Sequence, residues 1–167
     1  MNVKIKREPP PADLQFKDEA AEQLRPGAPL EDYLPYQLFR IVNRLTLNLR
    51  GNFRPLKITL SRWRVLSTLT ARDGRSIGQL ANYMVMEQPA LSRVIDQMER
   101  DRLVVRRLAS DDNRVVRVYL TAAGRSKFEE IRPLEIQHYK NVIEGIEQDE
   151  LEQLSDLLQR VWGNIDR

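Results

Sequence analysis

Within residues 76–124 the pattern of apolar positions changes from helical to β-type and back to helical, and few folds accept that order in so short a span. Ser76 stands directly before Ile77, Leu80, Ala81 and Met84, where an N-cap stands before a short helix. After a brief break comes Pro89, at a place where the first turn of a helix tolerates a missing N–H. This second helix presents Leu91, Val94, Ile95 and Met98 inward and Ala90, Ser92, Arg93 and Gln97 outward. Residues 104–108 and 115–120 are rich in β-branched side chains, and the polar run 109–114 between them suits a hairpin turn. Thr121 then caps another helix. Two short helices followed at once by a β-hairpin predict a winged helix-turn-helix.

The flanking segments read as longer helices. Leu34, Leu38, Ile41, Val42, Leu45 and Leu49 are spaced by threes and fours, and that helix is expected to stop near Gly51-Asn52 and Pro55. Thr59 opens a second helix with Trp63, Leu66 and Leu69 on one face, and Asp73-Gly74 signals a turn. A long helix over 122–146 carries Phe128, Ile131, Leu134, Tyr139, Val142, Ile143 and Ile146, with a bend expected at Pro133. A last helix starts near Gln148 and carries Leu151, Leu154, Leu157, Leu158, Val161, Trp162 and Ile165. Glu147, Asp149 and Glu150 at its start complement the helix dipole. The fold class expected is mainly α with a small β-hairpin wing. Residues 53–121 form the winged helix-turn-helix, and 31–52 with 122–167 form a helical dimerisation region. Residues 1–30 hold five of the nine prolines and read as a Pro-rich N-terminal arm. The small central unit cannot cover the apolar stripes of the outer helices, so a homodimer is expected.

Composition narrows the function. Cysteine is absent, which excludes a disulfide framework, a thiol switch and thiolate metal ligands. One histidine, His138, is a poor basis for a metal site, so no metal and no cofactor are expected. No apolar run approaches the roughly 20 residues of a membrane span, and no apolar segment follows the N-terminal Met-Asn-Val-Lys-Ile-Lys as in a signal peptide. A cytoplasmic protein with no membrane partner is the expectation. An enzyme is not expected, because the chain has no Gly-rich phosphate loop and no nucleophile–base pairing around His138. Charge is unevenly placed. Residues 31–71 hold seven basic and two acidic side chains, whereas 122–167 hold six basic and ten acidic ones. Such asymmetry favours a polyanionic partner over one part of the surface.

Candidate contacts to double-stranded DNA follow. The start of a recognition helix must be small or able to hydrogen-bond in the major groove, and Gln88, Pro89, Ala90, Ser92, Arg93 and Gln97 meet that need. Ser76, the cap of the preceding helix, is a further candidate contact to DNA. Arg106, Arg107, Arg114 and Arg117 charge the hairpin, as suits phosphate contact and insertion of an arginine into a minor groove.

Asp112-Asn-Arg114, five residues, then Leu120-Thr121-Ala-Ala-Gly124 resembles the wing of the MarR (multiple antibiotic resistance regulator) family of bacterial transcription factors. Leu91-Ser-Arg-Val-Ile-Asp96 is similar to that family's recognition helix, and the order of helices matches over roughly 31–167. The resemblance implies that Arg114 enters the minor groove with Asp112 orienting it, and that Ser92 and Arg93 meet the major groove. It also implies a transcriptional regulator, a repressor released from its operator by a small molecule such as an aromatic carboxylate or its CoA thioester. Asn43, Leu47, Arg50, Trp63, Leu66 and His138 are then candidates for the effector site, Arg50 for an anionic group and Trp63 for a ring. The chain departs from the family at Arg102, where a glycine is usual, and at Glu87-Gln88, where a small hydroxyl residue is usual. The alternative is a helical adaptor that uses the winged domain for protein binding only.

Overall fold

The computed structural model describes residues 25, 27–109 and 115–166. They form six helices and three short strands: α1 (Leu34–Phe53), α2 (Leu60–Ala71), β1 (Arg75–Ser76), α3 (Ile77–Met84), α4 (Gln88–Arg100), β2 (Val104–Leu108), β3 (Val116–Leu120), α5 (Ala122–Val142) and α6 (Gln148–Ile165). A 3-10 turn, Leu30–Asp32, precedes α1. The fold class is as expected, mainly helical with a small antiparallel sheet. Two boundaries differ. Helix α1 runs through Gly51 to Phe53, because Phe53 is buried in the core and holds the last turn in place. Helix α5 ends at Val142. The strand β1 was not anticipated. It pairs with β3, giving the order β1-β3-β2. Pro133 lies inside α5, which continues past it.

The chain divides into two compact units between Leu47 and Asn48, within α1. In the first, Gln37 Nε2 donates to the Glu31 carbonyl at 2.6 Å, and the Arg40 guanidinium lies 5.9 Å over the Tyr36 ring. Leu34, Phe39, Ile41, Val42 and Leu47 are exposed there.

The second unit holds the core. Val65, Leu66 and Leu69 of α2, Leu80 and Met84 of α3, and Leu91, Ile95 and Met98 of α4 are buried together. Val104 and Val118 of the sheet and Ile131 of α5 close the cluster. Caps place the helices as the sequence leads one to expect. Thr59 accepts the Arg62 N–H, and Ser76 and Gln79 form a reciprocal capping box at 3.2 and 3.0 Å. The Arg64 guanidinium donates to the Met84 carbonyl at the end of α3, tying α2 to it. Among the described residues, three that are not glycine adopt positive φ: Lys57, Val85 and Arg102. At Arg102 the left-handed turn links α4 to β2 in place of the expected glycine. Val85 ends α3 in the same conformation, a strained choice for a β-branched residue.

The hairpin meets α5 at a close junction. Thr121 donates its hydroxyl to the Arg102 carbonyl at 2.6 Å and accepts the Gly124 N–H at 3.0 Å. A Cβ on Gly124 would stand 2.0 Å from the Leu103 carbonyl oxygen. Only a glycine lets the first turn of α5 lie against the residue that leads into β2. Gly124→Ala is expected to lower stability by about 3 kcal/mol. Thermal denaturation followed by circular dichroism checks this, and an unchanged melting temperature would refute the close-approach account.

Candidate nucleic-acid interface

Helix α4 is amphipathic in a way that fixes which side can meet a partner. Leu91, Ile95 and Met98 have no exposed surface, whereas Gln88, Pro89, Ala90, Arg93 and Gln97 are exposed and Ser92 is half-buried. Pro89 sits in the first turn, as anticipated. A Cβ on Gly78 would stand 3.3 Å from Gln88 Nε2, so the bare backbone of α3 makes room for the side chain that opens α4. The N-cap, Glu87, makes no side-chain capping bond. The first N–H groups of α4 therefore receive nothing from it. Ser76 is occupied as the cap of α3.

The arginines of the hairpin divide by what they touch. Arg107 is exposed, with its guanidinium 5.6 Å over the Tyr119 ring. Arg117 donates from Nη1 to the Gly74 carbonyl at 3.2 Å. Arg106 differs from the expectation of a phosphate contact. Its two Nη atoms reach Asp96 Oδ1 and Glu99 Oε2, each at 2.7 Å, and its backbone N–H donates to Glu99 Oε1 at 2.9 Å. The residue braces β2 against α4. Asp96 and Glu99 are three apart on α4, on the edge that turns toward the hairpin. That spacing was readable beforehand, but the pairing with Arg106 was not. A second ion pair, Arg62 to Asp101 at 2.6 Å, joins α2 to the end of α4. Asp112 and Arg114 lie outside the described residues.

The brace has an acid-sensitive member. The Arg106 backbone N–H, together with the guanidinium, holds the Glu99 carboxyl below its ordinary value. Burial disfavours the Arg106 charge, but Asp96 and Glu99 outweigh that and raise its pKa. A depressed carboxyl pKa contributes stability above the unfolded value and loses it as pH falls through the folded one. The Glu99 contribution is therefore complete at neutral pH and fades only in acid. Arg106→Ala is expected to cost about 1–2 kcal/mol at pH 7, a modest figure because both carboxylates remain partly solvated. Melting curves of both proteins at pH 7 and in acid check it: the gap should narrow in acid, and a constant gap would refute the pairing.

The residues expected at an effector site fall in both units. Asn43 and Leu47 line a groove of about 680 Å³ along α1 in the first unit, with Arg40 and Arg44 beside them. In the second, Arg50 is exposed and His138 half-buried. Trp63 packs 5.4 Å from Phe53 and donates its indole N–H to Glu135 at 3.3 Å, while Leu66 is wholly inside the core. No helix is long and apolar enough to cross a membrane, and no cluster that could hold a metal ion occurs, among the described residues.

Comparisons with known proteins agree with this arrangement. The sequence model of the MarR family matches residues 58–116, the span from just before α2 to the start of β3. A MarR-family transcriptional regulator from Silicibacter pomeroyi is 34% identical, with a TM-score of 0.76 over 87% of this chain and 94% of its own. A second regulator of the family from that organism is 30% identical, with a TM-score of 0.77 over 85% and 95%. The transcriptional repressor CouR, solved on a 23-mer DNA duplex, is 25% identical, with a TM-score of 0.70 over 79% and 94%. Matched at 34% and 30% identity over more than four fifths of its length, this chain belongs to the MarR family of transcriptional regulators.

Proposed function

We propose that the protein is a homodimeric, sequence-specific DNA-binding repressor that a small-molecule effector releases from its operator. The observation that carries the reading is α4: its polar face stands exposed on a helix whose other face is locked into the core. A helix so held can enter a major groove without rearranging, and the duplex-bound structure of CouR lends support from a protein of the same fold. Gln88 and Arg93 are suited to adenine and guanine edges, Arg107 to phosphate, and Arg114 with Asp112 to the minor groove.

Dimerisation is favoured by apolar surface that the single chain leaves uncovered. Leu154, Leu157, Leu158, Trp162 and Ile165 of α6 are all exposed, and Leu34, Ile41 and Val42 of α1 likewise. A second copy would cover such stripes and pair two recognition helices with half-sites about one helical turn apart. The groove beside Asn43 and Leu47, with Arg40 and Arg44 on its wall, is suited to an anionic effector such as an aromatic carboxylate.

Gel shifts on the DNA upstream of the protein's own gene test the reading. Arg93→Ala is expected to weaken binding about 10- to 100-fold and to relax specificity at one base pair. Arg107→Ala is expected to weaken all sequences alike and to lower the slope of log affinity against log salt by about 0.9. No shift at low salt would reject DNA binding and favour an adaptor. Separately, Leu157→Glu is expected to shift the sedimentation coefficient from dimer to monomer. A monomeric wild type would reject the dimer.

A further inference from the structure

A cleft of about 320 Å³ opens beside the turn that joins α2 to β1. It is lined by Arg72, Arg75, Arg117, Gln79 and Asn82, together with the turn residues Asp73 and Gly74. Three of these side chains are cationic and one is anionic. The Asp73 carboxylate is already engaged: Oδ1 accepts from the Gly74 and Leu120 N–H groups at 3.1 and 3.0 Å, and Oδ2 from Arg125 at 2.5 Å. Its charge is matched by a residue outside the lining, so the Arg72 and Arg75 guanidinium groups give the lining its positive charge.

The donors there are held by other contacts and point to a ligand rich in acceptors. Arg117 is fixed at the turn through its bond to the Gly74 carbonyl. The Arg75 guanidinium carbon lies 4.7 Å over the Tyr83 ring. Its Nε is enclosed, so only its Nη groups are left to reach a ligand. Gln79 spends its carbonyl on the Ser76 N–H, which leaves its amide hydrogens as donors. The lining has little apolar surface for a ring, and its guanidinium and amide donors match tetrahedral oxygens.

We propose that this cleft binds a phosphoryl oxyanion. Two sources share that chemistry: a backbone phosphate of bound DNA and a free phosphate compound. Asn82 lies one helical turn beyond Gly78, the residue that meets Gln88 at the start of α4, so a duplex on the recognition helix would pass near. Only this duplex arm rests on the DNA-binding reading.

The test uses the full chain and the variants Arg75→Gln, Arg117→Gln and the exposed Asn82→Asp, each checked for native circular dichroism. Calorimetric titration with pyrophosphate at constant ionic strength is run beside gel shifts over a salt series. Saturable binding of one pyrophosphate per chain, weakened at least tenfold in the variants while duplex affinity holds, assigns the cleft to a free phosphate compound. Weakened binding to every duplex sequence, with a salt slope lower by about 0.9 per charge removed, assigns it to the DNA backbone. Wild-type values in both measurements for folded variants overturn the proposal. Should an arginine variant fail to fold, Asn82→Asp decides, because it sets a negative charge among the same donors. Should the wild type bind no DNA, the DNA-binding reading fails by itself and the titration alone decides this one.

Discussion

Leu91, Ile95 and Met98, three side chains along one stripe of α4, are removed entirely from water, and the rest of the second unit is arranged around that burial. Leu80 and Met84 of α3, Val65 and Leu69 of α2, and Val104 and Val118 of the sheet all pack into the same cluster. Burying side chains of this size is worth roughly 1.5–3 kcal/mol each, which is enough to fix the rotation of the helix about its axis. The rotation in turn decides that Gln88, Arg93 and Gln97 face outward. The candidate interface is thus a by-product of the core: its polar residues are presented by what lies beneath them.

Electrostatics then divides the arginines by partner. Arg62 and Arg106 pair with Asp101, Asp96 and Glu99, carboxylates of α4 or its C-terminal cap, and so stiffen the mounting of the helix. Arg93 and Arg107 stay on the solvent side. Arg72, Arg75 and Arg117 gather at the cleft beside the α2–β1 turn. Arginines therefore stand in three settings, and side chains of identical chemistry are told apart only by the carboxylates, carbonyls and rings that the fold places next to them.

Much of the layout was legible in the chain itself. Ser76, Thr59 and Thr121 act as caps because a hydroxyl beside free helix N–H groups has one obvious role. Pro89, the Asp73-Gly74 turn and the β-branched runs of β2 and β3 mark boundaries by local sterics alone. The strand β1 was not legible, since two residues carry no period and the pairing comes from β3 more than 40 positions away. The extension of α1 through Gly51 was missed for a related reason: burial of Phe53 overrides the local cost of glycine. Arg106 read as one more wing cation because its carboxylate partners sit on a different element.

What the sequence determined by itself was everything governed by near neighbours: the caps, the apolar periods, the order of helices and hairpin, and the motif around Gly124 that marks the family. Tertiary structure decided which face of α4 is exposed, which arginines are spent on carboxylates, and why Gly124 must lack a side chain. Those outcomes depend on atoms far apart in the chain, such as the Leu103 carbonyl against the first turn of α5. The recognition helix was visible from the start as a pattern of residues. Only the packing beneath it, and the brace from Arg106, turned that pattern into a fixed surface.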